Sequence, residues 1–394
     1  MSVESTSVII VGGGPAGLLL SHLLEGSGVD HIVIESRSYD EIATTQRAGI
    51  LEQCSVDVLV EAGLDRVIRE GHRHDGIDIR FDGHMHRIDF EALVGDAVYL
   101  YPQTEVFKDL AAARTAAGAD IRWECRVSAV LDGDSSRPGI RYTDADGAAH
   151  EIRGDLVVGA DGSHSTVRQS FPTEVRRTWS HEYPYAWFGI IVEAPPSAEL
   201  LVYSASERGF ALISQRTETH QRMYFQCDPE DNADNWSDEA IWEELQARVA
   251  GADGFALKTG PITERAVLRF RSSVVDPMRL ARVVLAGDAA HTVPPTGAKG
   301  LNLAIADVVL LHGILEDWVS SHDDALLDTY GKRSAHRVWR AQNYSAWMSR
   351  MMHSTVDEPG FERQRRFAEL RTITESEAGR RFLAEGYTGW GGIR

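Results

Sequence analysis

The stretch "SVIIVGGGPAGLLLSHLLEGSGVDHIVIE", residues 7–35, leaves this chain few folds to choose from. A short run of branched apolar residues (7–11) reads as a buried strand, and "GGGPAG" follows it at once. An apolar helical pattern comes next, then a second strand that closes on Glu35. This is a βαβ unit with Gly12, Gly14 and Gly17 in GxGxxG spacing. The first glycine permits the tight turn, the second lets backbone approach a pyrophosphate, and the third lets helix and strand pack closely. The helix N-terminus then faces the phosphates, and a carboxylate at Glu35 can accept hydrogen bonds from a ribose. The motif alone does not separate NAD from FAD.

Two later segments repeat the strand-then-turn pattern. "GDLVVGADGSHSTVR" places Asp161 after a strand, and "RVVLAGDAAH" places Asp288 after another. From about residue 184 to 271 the pattern changes. "LLVYSA", "GFALIS" and "QRMYFQ" alternate as antiparallel strands do, with one face over a site. From Leu301 onward the chain reads as mostly helical. The expected organisation is a mixed α/β fold: a Rossmann-like nucleotide domain over 1–178, completed by about 280–320, a mainly antiparallel sheet domain over 179–279, and a loop with a helical C-terminal region over 280–394.

Composition narrows the partners. The chain has 394 residues and a net charge of −19 with no basic block, which argues against nucleic acid and anionic membranes. No apolar run is long enough to span a bilayer; the nearest, "LNLAIADVVLLHGIL", is short and carries Asp307. "MSVESTS" lacks the parts of a signal peptide. Cys54, Cys125 and Cys227 show neither CxxC spacing nor an even count, as expected of reduced thiols in a cytoplasmic protein. No metal-ligating spacing is present.

Three strand-end signals on one nucleotide domain exceed what an NAD dehydrogenase needs, and the pattern resembles the flavoprotein aromatic hydroxylases. The resemblance covers nearly the whole chain. It implies one non-covalent FAD extended across the three signals, with Asp288 at its ribityl or ribose part and the backbone N–H groups near Leu301 and Asn302 at the pyrimidine edge of the flavin. There a helix start favours the negative charge of a reduced flavin. Arg47, Gln103 and Arg222 match further flavin contacts.

The same resemblance supplies a substrate set and points to 4-hydroxybenzoate, hydroxylated to 3,4-dihydroxybenzoate (protocatechuate) with O2 and NADH or NADPH; another hydroxybenzoate or phenol is the alternative. Tyr203 matches the group that bonds the phenol oxygen, and Ser214, Arg216 and Tyr224 match the carboxylate clamp. A guanidinium fork with hydroxyl donors suits a carboxylate. Tyr387 matches a second tyrosine that bonds the first, His74 the outer end of a proton path to solvent, and Pro295 a carbonyl near the substrate hydroxyl. The chemistry implied is transfer of oxygen from an electrophilic flavin C4a-hydroperoxide, which needs the ring made electron-rich by loss of the phenol proton. His164, Arg168 and Arg271 match positions that hold the nicotinamide nucleotide. Arg37 is the base nearest the expected adenosine 2′ position. With Asp40, Glu41 and an uncharged Thr45 around it, NADH is expected to serve at least as well as NADPH. The chain departs from the family's usual pattern at Met223 and after Glu35. The family suggests a homodimer formed through the helical C-terminal region.

Overall fold

The computed structural model describes residues 4–45, 49–355 and 358–392. A six-stranded sheet forms the nucleotide half. Its order is Arg279–Leu280, Val283–Leu285, Leu156–Gly159, Val8–Val11, His31–Ile34, Ile121–Arg122. All neighbours are parallel except the first pair. Val8–Val11 and Leu156–Gly159 are buried along their whole length, which explains their uninterrupted apolar sequences. Three segments distant in sequence thus end side by side, after Val11, Gly159 and Leu285.

The helix Pro15–Gly26 packs beside the long helix Gly300–Ser321, which in turn packs against Asp324–Met352. Gly300–Ser321 is apolar on most sides because it lies between these partners. Leu303, Ile305, Val308, Leu311, Leu315 and Trp318 are all buried. No helix among the described residues is long and apolar enough to cross a membrane.

The second sheet has seven strands: Ile262–Leu268, Ala186–Glu193, His220–Cys227, Gly209–Gln215, Val202–Ser206, Gly76–Phe81 and His84–Asp89. It takes in more of the chain than the alternating pattern of 184–271 shows. The hairpin Gly76–Asp89 joins it from the N-terminal half, through a parallel pairing of Gly76–Phe81 with Val202–Ser206. The inner strands are also buried on both faces. Val202, Ala211, Ile213, Met223 and Phe225 share a cluster with Ile241, Leu245 and Val249 of the helix Asp238–Val249, whereas Tyr203, Leu212 and Tyr224 belong to a different cluster. A small sheet of Arg177–Glu182, Arg271–Asp276 and His291–Thr292 ties the two halves together.

Candidate active site

At the nucleotide end, two of the three glycines of the GxGxxG turn are sterically required and the third borders open space. Gly12 has φ +111°, and a Cβ there would meet the Ala160 carbonyl oxygen at 2.3 Å. A Cβ on Gly17 would meet the Gly12 carbonyl oxygen at 1.9 Å, so helix and strand close on one another only with glycine here. A Cβ on Gly14 would meet nothing within 4 Å. Gly14 is also the N-cap of Pro15–Gly26 and gives no side-chain cap, so open space and uncapped N–H groups coincide. Glu35 is buried, with Oε2 accepting from the Gly13 N–H at 2.7 Å and Oε1 from the Arg37 N–H at 2.9 Å.

Asp161 accepts through Oδ2 from the N–H groups of Thr166 and Val167, at 2.7 and 3.1 Å, while its buried Oδ1 has no partner. Burial raises its pKa. An orphaned acceptor beside open helix-start donors is what a ligand bearing both hydroxyls and phosphates would satisfy. Asp288 lies half-buried in the turn Gly287–Ala289. That turn is pinned from below, because the Gly287 N–H donates to Asp307 Oδ2 at 2.9 Å and His291 Nε2 lies 2.6 Å from the same oxygen. The Ser334 hydroxyl donates to Asp307 Oδ1 at 2.6 Å. Burial opposes charge on His291, and the Asp307 carboxylate outweighs it, so the pKa is raised. Gln103 opens the helix Gln103–Ala116, half-buried. Arg47 lies outside the described residues.

In the loop before Gly300–Ser321 the Pro295 carbonyl accepts from the Ala298 N–H at 2.9 Å and closes a tight turn. The next carbonyl, of Thr296, meets Tyr203, whose hydroxyl donates to it at 3.3 Å. Thr296 is fully buried, and its Oγ1 accepts from the Ser349 hydroxyl at 2.8 Å. Gly300–Ser321 starts without a side-chain cap, leaving the donors around Leu301 uncapped. The Asn302 side chain is occupied otherwise: it donates to the carbonyls of Ile50 and Ala298 and accepts from the Glu52 N–H. Lys299 is buried, donating to Glu52 Oε1 at 2.7 Å and to the Tyr387 carbonyl at 2.9 Å.

Strand register collects the expected substrate residues. Tyr203 pairs with Leu212, Leu212 with Tyr224, and Ser214 with Arg222. Cross-strand partners share a face, so Tyr203, Ser214, Arg222 and Tyr224 lie on one side of the sheet. Arg216 stands one residue past the strand Gly209–Gln215, its N–H still donating to the His220 carbonyl at 3.0 Å. Burial lowers the pKa of its guanidinium, and the like charge of Arg222 adds to this. The Glu264 carboxylate works the other way. Gly189, opposite Tyr224, makes room for its ring, since a Cβ there would lie 2.7 Å from it.

The Tyr203 and Tyr387 hydroxyls are 2.8 Å apart, and both residues are about 1 % exposed. Burial raises the pKa of each phenol. His74 is only 3 % exposed, on the strand His72–His74. Burial lowers its pKa to about 4, with His72 adding to the shift, and its Nδ1 is buried without a partner. Among the described residues no hydrogen bond joins it to Tyr387. The ring of Phe90, whose N–H donates to the Asp75 carbonyl, is stacked 5.2 Å from that of Tyr387.

The residues expected at the nicotinamide nucleotide fall into two groups. Arg37 is half-exposed, with Nε 3.6 Å from Glu35 Oε1. His164 and Arg271 are exposed. Arg168 donates to the carbonyls of Ala289 and Ser163 and so ties the Asp161 and Asp288 loops together. Burial lowers its pKa, and the charges of Arg176 and Arg271 push the same way.

Comparison with known proteins settles the family. Residues 5–345 match the family described as FAD binding domain. The chain is 42% identical over 391 residues to p-hydroxybenzoate hydroxylase of Acinetobacter baylyi, covering 99% of this chain and 96% of that one. This chain is an FAD-binding flavin-dependent monooxygenase. It is also 31% identical to rifampicin monooxygenase of Streptomyces venezuelae, over 97% of this chain and 78% of the relative. p-Nitrophenol 4-monooxygenase from Pseudomonas putida shares the fold, with a TM-score of 0.84 at 20% identity over 98% of this chain and 99% of that one. Sequence reasoning missed Thr296, Gly189 and the Lys299–Glu52 pair. Of these, only Lys299, a lone cation in the "TGAKG" loop, carried a signal in the sequence.

Proposed function

We propose that this monooxygenase converts 4-hydroxybenzoate to 3,4-dihydroxybenzoate, using non-covalently bound FAD, O2 and NADH or NADPH. The observation that carries the reading is the buried Tyr203–Tyr387 hydroxyl pair beneath a sheet face that also presents Ser214, Arg222 and Tyr224. The similarity to p-hydroxybenzoate hydroxylase supports the same substrate. Gly12, Gly14, Gly17, Glu35, Gln103, Asp161 and Asp288 would hold FAD, which would supply the redox chemistry with O2.

The protein residues do the rest. Arg216, with Ser214 and Tyr224, grips the substrate carboxylate and so fixes which ring carbon faces the flavin. Tyr203 accepts the phenol proton's hydrogen bond and, with Tyr387, moves that proton away without admitting bulk water. His74, with its buried Nδ1 unpartnered, stands at the far end of this proposed proton path. His164, Arg168 and Arg271 supply positive charge for the phosphates of the reductant. The C-terminal helices form the contact of a homodimer.

The deciding experiment is an absorption spectrum of the FAD-loaded protein before and after adding 4-hydroxybenzoate, followed by product analysis. A perturbed flavin band, with 3,4-dihydroxybenzoate formed in step with NAD(P)H oxidation, is the expected result. A flat titration, or turnover of another hydroxybenzoate alone, overturns the substrate assignment.

A further inference from the structure

The Lys299 ammonium is enclosed by three aromatic rings. Its Nζ lies 5.3 Å from the ring centroid of Tyr344, 5.3 Å from that of Trp390 and 6.0 Å from that of Tyr387. Tyr344 and Tyr387 are buried in the core, and Tyr344 is fastened by its hydroxyl to the Leu383 carbonyl. Trp390 is different. It lies beyond the helix Glu377–Thr388, half-buried, and forms the outer wall of the cage.

Trp390 reaches this position at a conformational cost. Its φ is +57°, a left-handed value that a large side chain rarely adopts. It sits between Gly389 at +96° and Gly391 at +75°. A strained non-glycine residue persists where its surroundings over-determine it. Here the Trp390 N–H donates to the Glu385 carbonyl at 2.8 Å, Arg340 stacks on the outer ring face at 4.4 Å, and Arg337 bonds the Gly392 carbonyl. Gly389 is forced as well, because a Cβ there would lie 2.0 Å from Glu52 Oε2. The segment is therefore folded down onto the Lys299–Glu52 pair itself.

We infer that Trp390 is a positioning residue: it closes the cage that keeps water from Lys299 Nζ, and through the bond from Lys299 to the Tyr387 carbonyl it holds the Tyr203–Tyr387 hydroxyl pair in register. Water admitted at this point would compete for all three donors of the ammonium. The Tyr387 carbonyl would lose its fixed partner, and the hydroxyl on the same residue would lose its fixed distance to Tyr203. The consequence for turnover rests on the reading of that pair given above; the shielding of Lys299 does not.

The chain's lysine content makes the test clean. There are four: Lys108, Lys258, Lys299 and Lys332. Lys258 and Lys332 are exposed, Lys108 is partly so, and Lys299 is 1 % exposed. The FAD-loaded full chain is treated with an amine-acylating reagent, and labelling is followed by peptide mass spectrometry. Wild type should label last at Lys299. Trp390→Ala should speed labelling at Lys299 by about tenfold or more and leave the other three unchanged, because only local opening is needed. Trp390→Phe should restore protection, and Arg340→Ala, which removes only the outer stack, should fall between and serves where Trp390→Ala does not fold. Unchanged Lys299 labelling in Trp390→Ala, or in Arg340→Ala where that variant stands in, overturns the inference. In the same preparations, product per NADH consumed should fall in Trp390→Ala and recover in Trp390→Phe; wild-type coupling in a variant whose Lys299 is open refutes the link to the tyrosine pair. If wild type itself does not hydroxylate 4-hydroxybenzoate, the substrate reading fails while the labelling result still stands.

Discussion

The phenol oxygens of Tyr203 and Tyr387 lie 2.8 Å apart although 184 residues separate them in the chain. With Tyr203 also bonded to the Thr296 carbonyl, the pair is a short polar thread through an apolar cluster. Tyr203→Phe removes its middle link and little volume. Substrate affinity should change no more than a few-fold. Product per NAD(P)H should fall sharply, the balance of oxygen appearing as hydrogen peroxide. Parallel measurement of peroxide and 3,4-dihydroxybenzoate checks this, and wild-type coupling would remove Tyr203 from the proton path.

Arg216→Ala should weaken 4-hydroxybenzoate binding. A charge-assisted pair in a half-buried setting is worth about 2–3 kcal/mol, or roughly 30–150-fold in Kd. Flavin absorbance titrated with substrate reads it directly. Benzoate analogues lacking the carboxylate should bind the variant and wild type alike.

Asp307 holds His291, the Gly287 N–H and the Ser334 hydroxyl together. Asp307→Ala strands all three and should cost about 3–5 kcal/mol, as removal of one member of a buried pair does. Melting temperature and FAD retention on gel filtration should both drop. The pair also leaves a mark on the pH dependence. The folded pKa of His291 is raised, so its stabilisation is full below its unfolded value near 6.5 and is lost as pH rises through the folded value. Stability of the wild type should therefore decline on the alkaline side in a way that Asp307→Ala does not.

His74 works in the opposite sense. Its folded pKa is lowered to about 4, so the folded protein keeps it neutral while the unfolded chain takes up a proton below about 6.5. Stability should fall as pH drops from about 6.5 towards 4, and His74→Asn should flatten that limb of a melting-temperature profile. An unchanged acid limb would assign the loss to other groups, His353 foremost, which burial lowers to about 3.

Arg37 is half-exposed and already shares the Glu35 carboxylate, so it offers a 2′-phosphate little net charge. NADH should serve at least as well as NADPH. Steady-state kcat/KM for both, at fixed ionic strength and saturating 4-hydroxybenzoate, decides the matter; a strong NADPH preference would place the governing base elsewhere.

What could be read beforehand followed from how locally each feature is specified. The glycines at 12, 14 and 17 act on neighbours a few residues away, so their spacing exposes them. Ser214, Arg222 and Tyr224 gather through the register of one hairpin, which an alternating pattern half reveals. The Lys299–Glu52 pair joins residues 247 apart, and periodicity carries no trace of such a partnership. The meeting of the Thr296 carbonyl with Tyr203 depends on one tight turn closing at Ala298, which carries a left-handed φ that a non-glycine residue does not advertise. His74 looks like a surface residue in "GHRHDG"; only its pairing opposite Val98 in a three-stranded sheet puts it inside.

The hairpin Gly76–Asp89 has its place beside Val202–Ser206, more than a hundred residues later. During synthesis, then, Gly76–Phe81 must wait with one edge unsatisfied until the strand bearing Tyr203 has left the ribosome. Closure of the sheet is a non-local event, slow by nature and open to mispairing while it waits. Residues 179–279 made alone would present Val202–Ser206 as a bare apolar edge, so this stretch of chain is not a portable module.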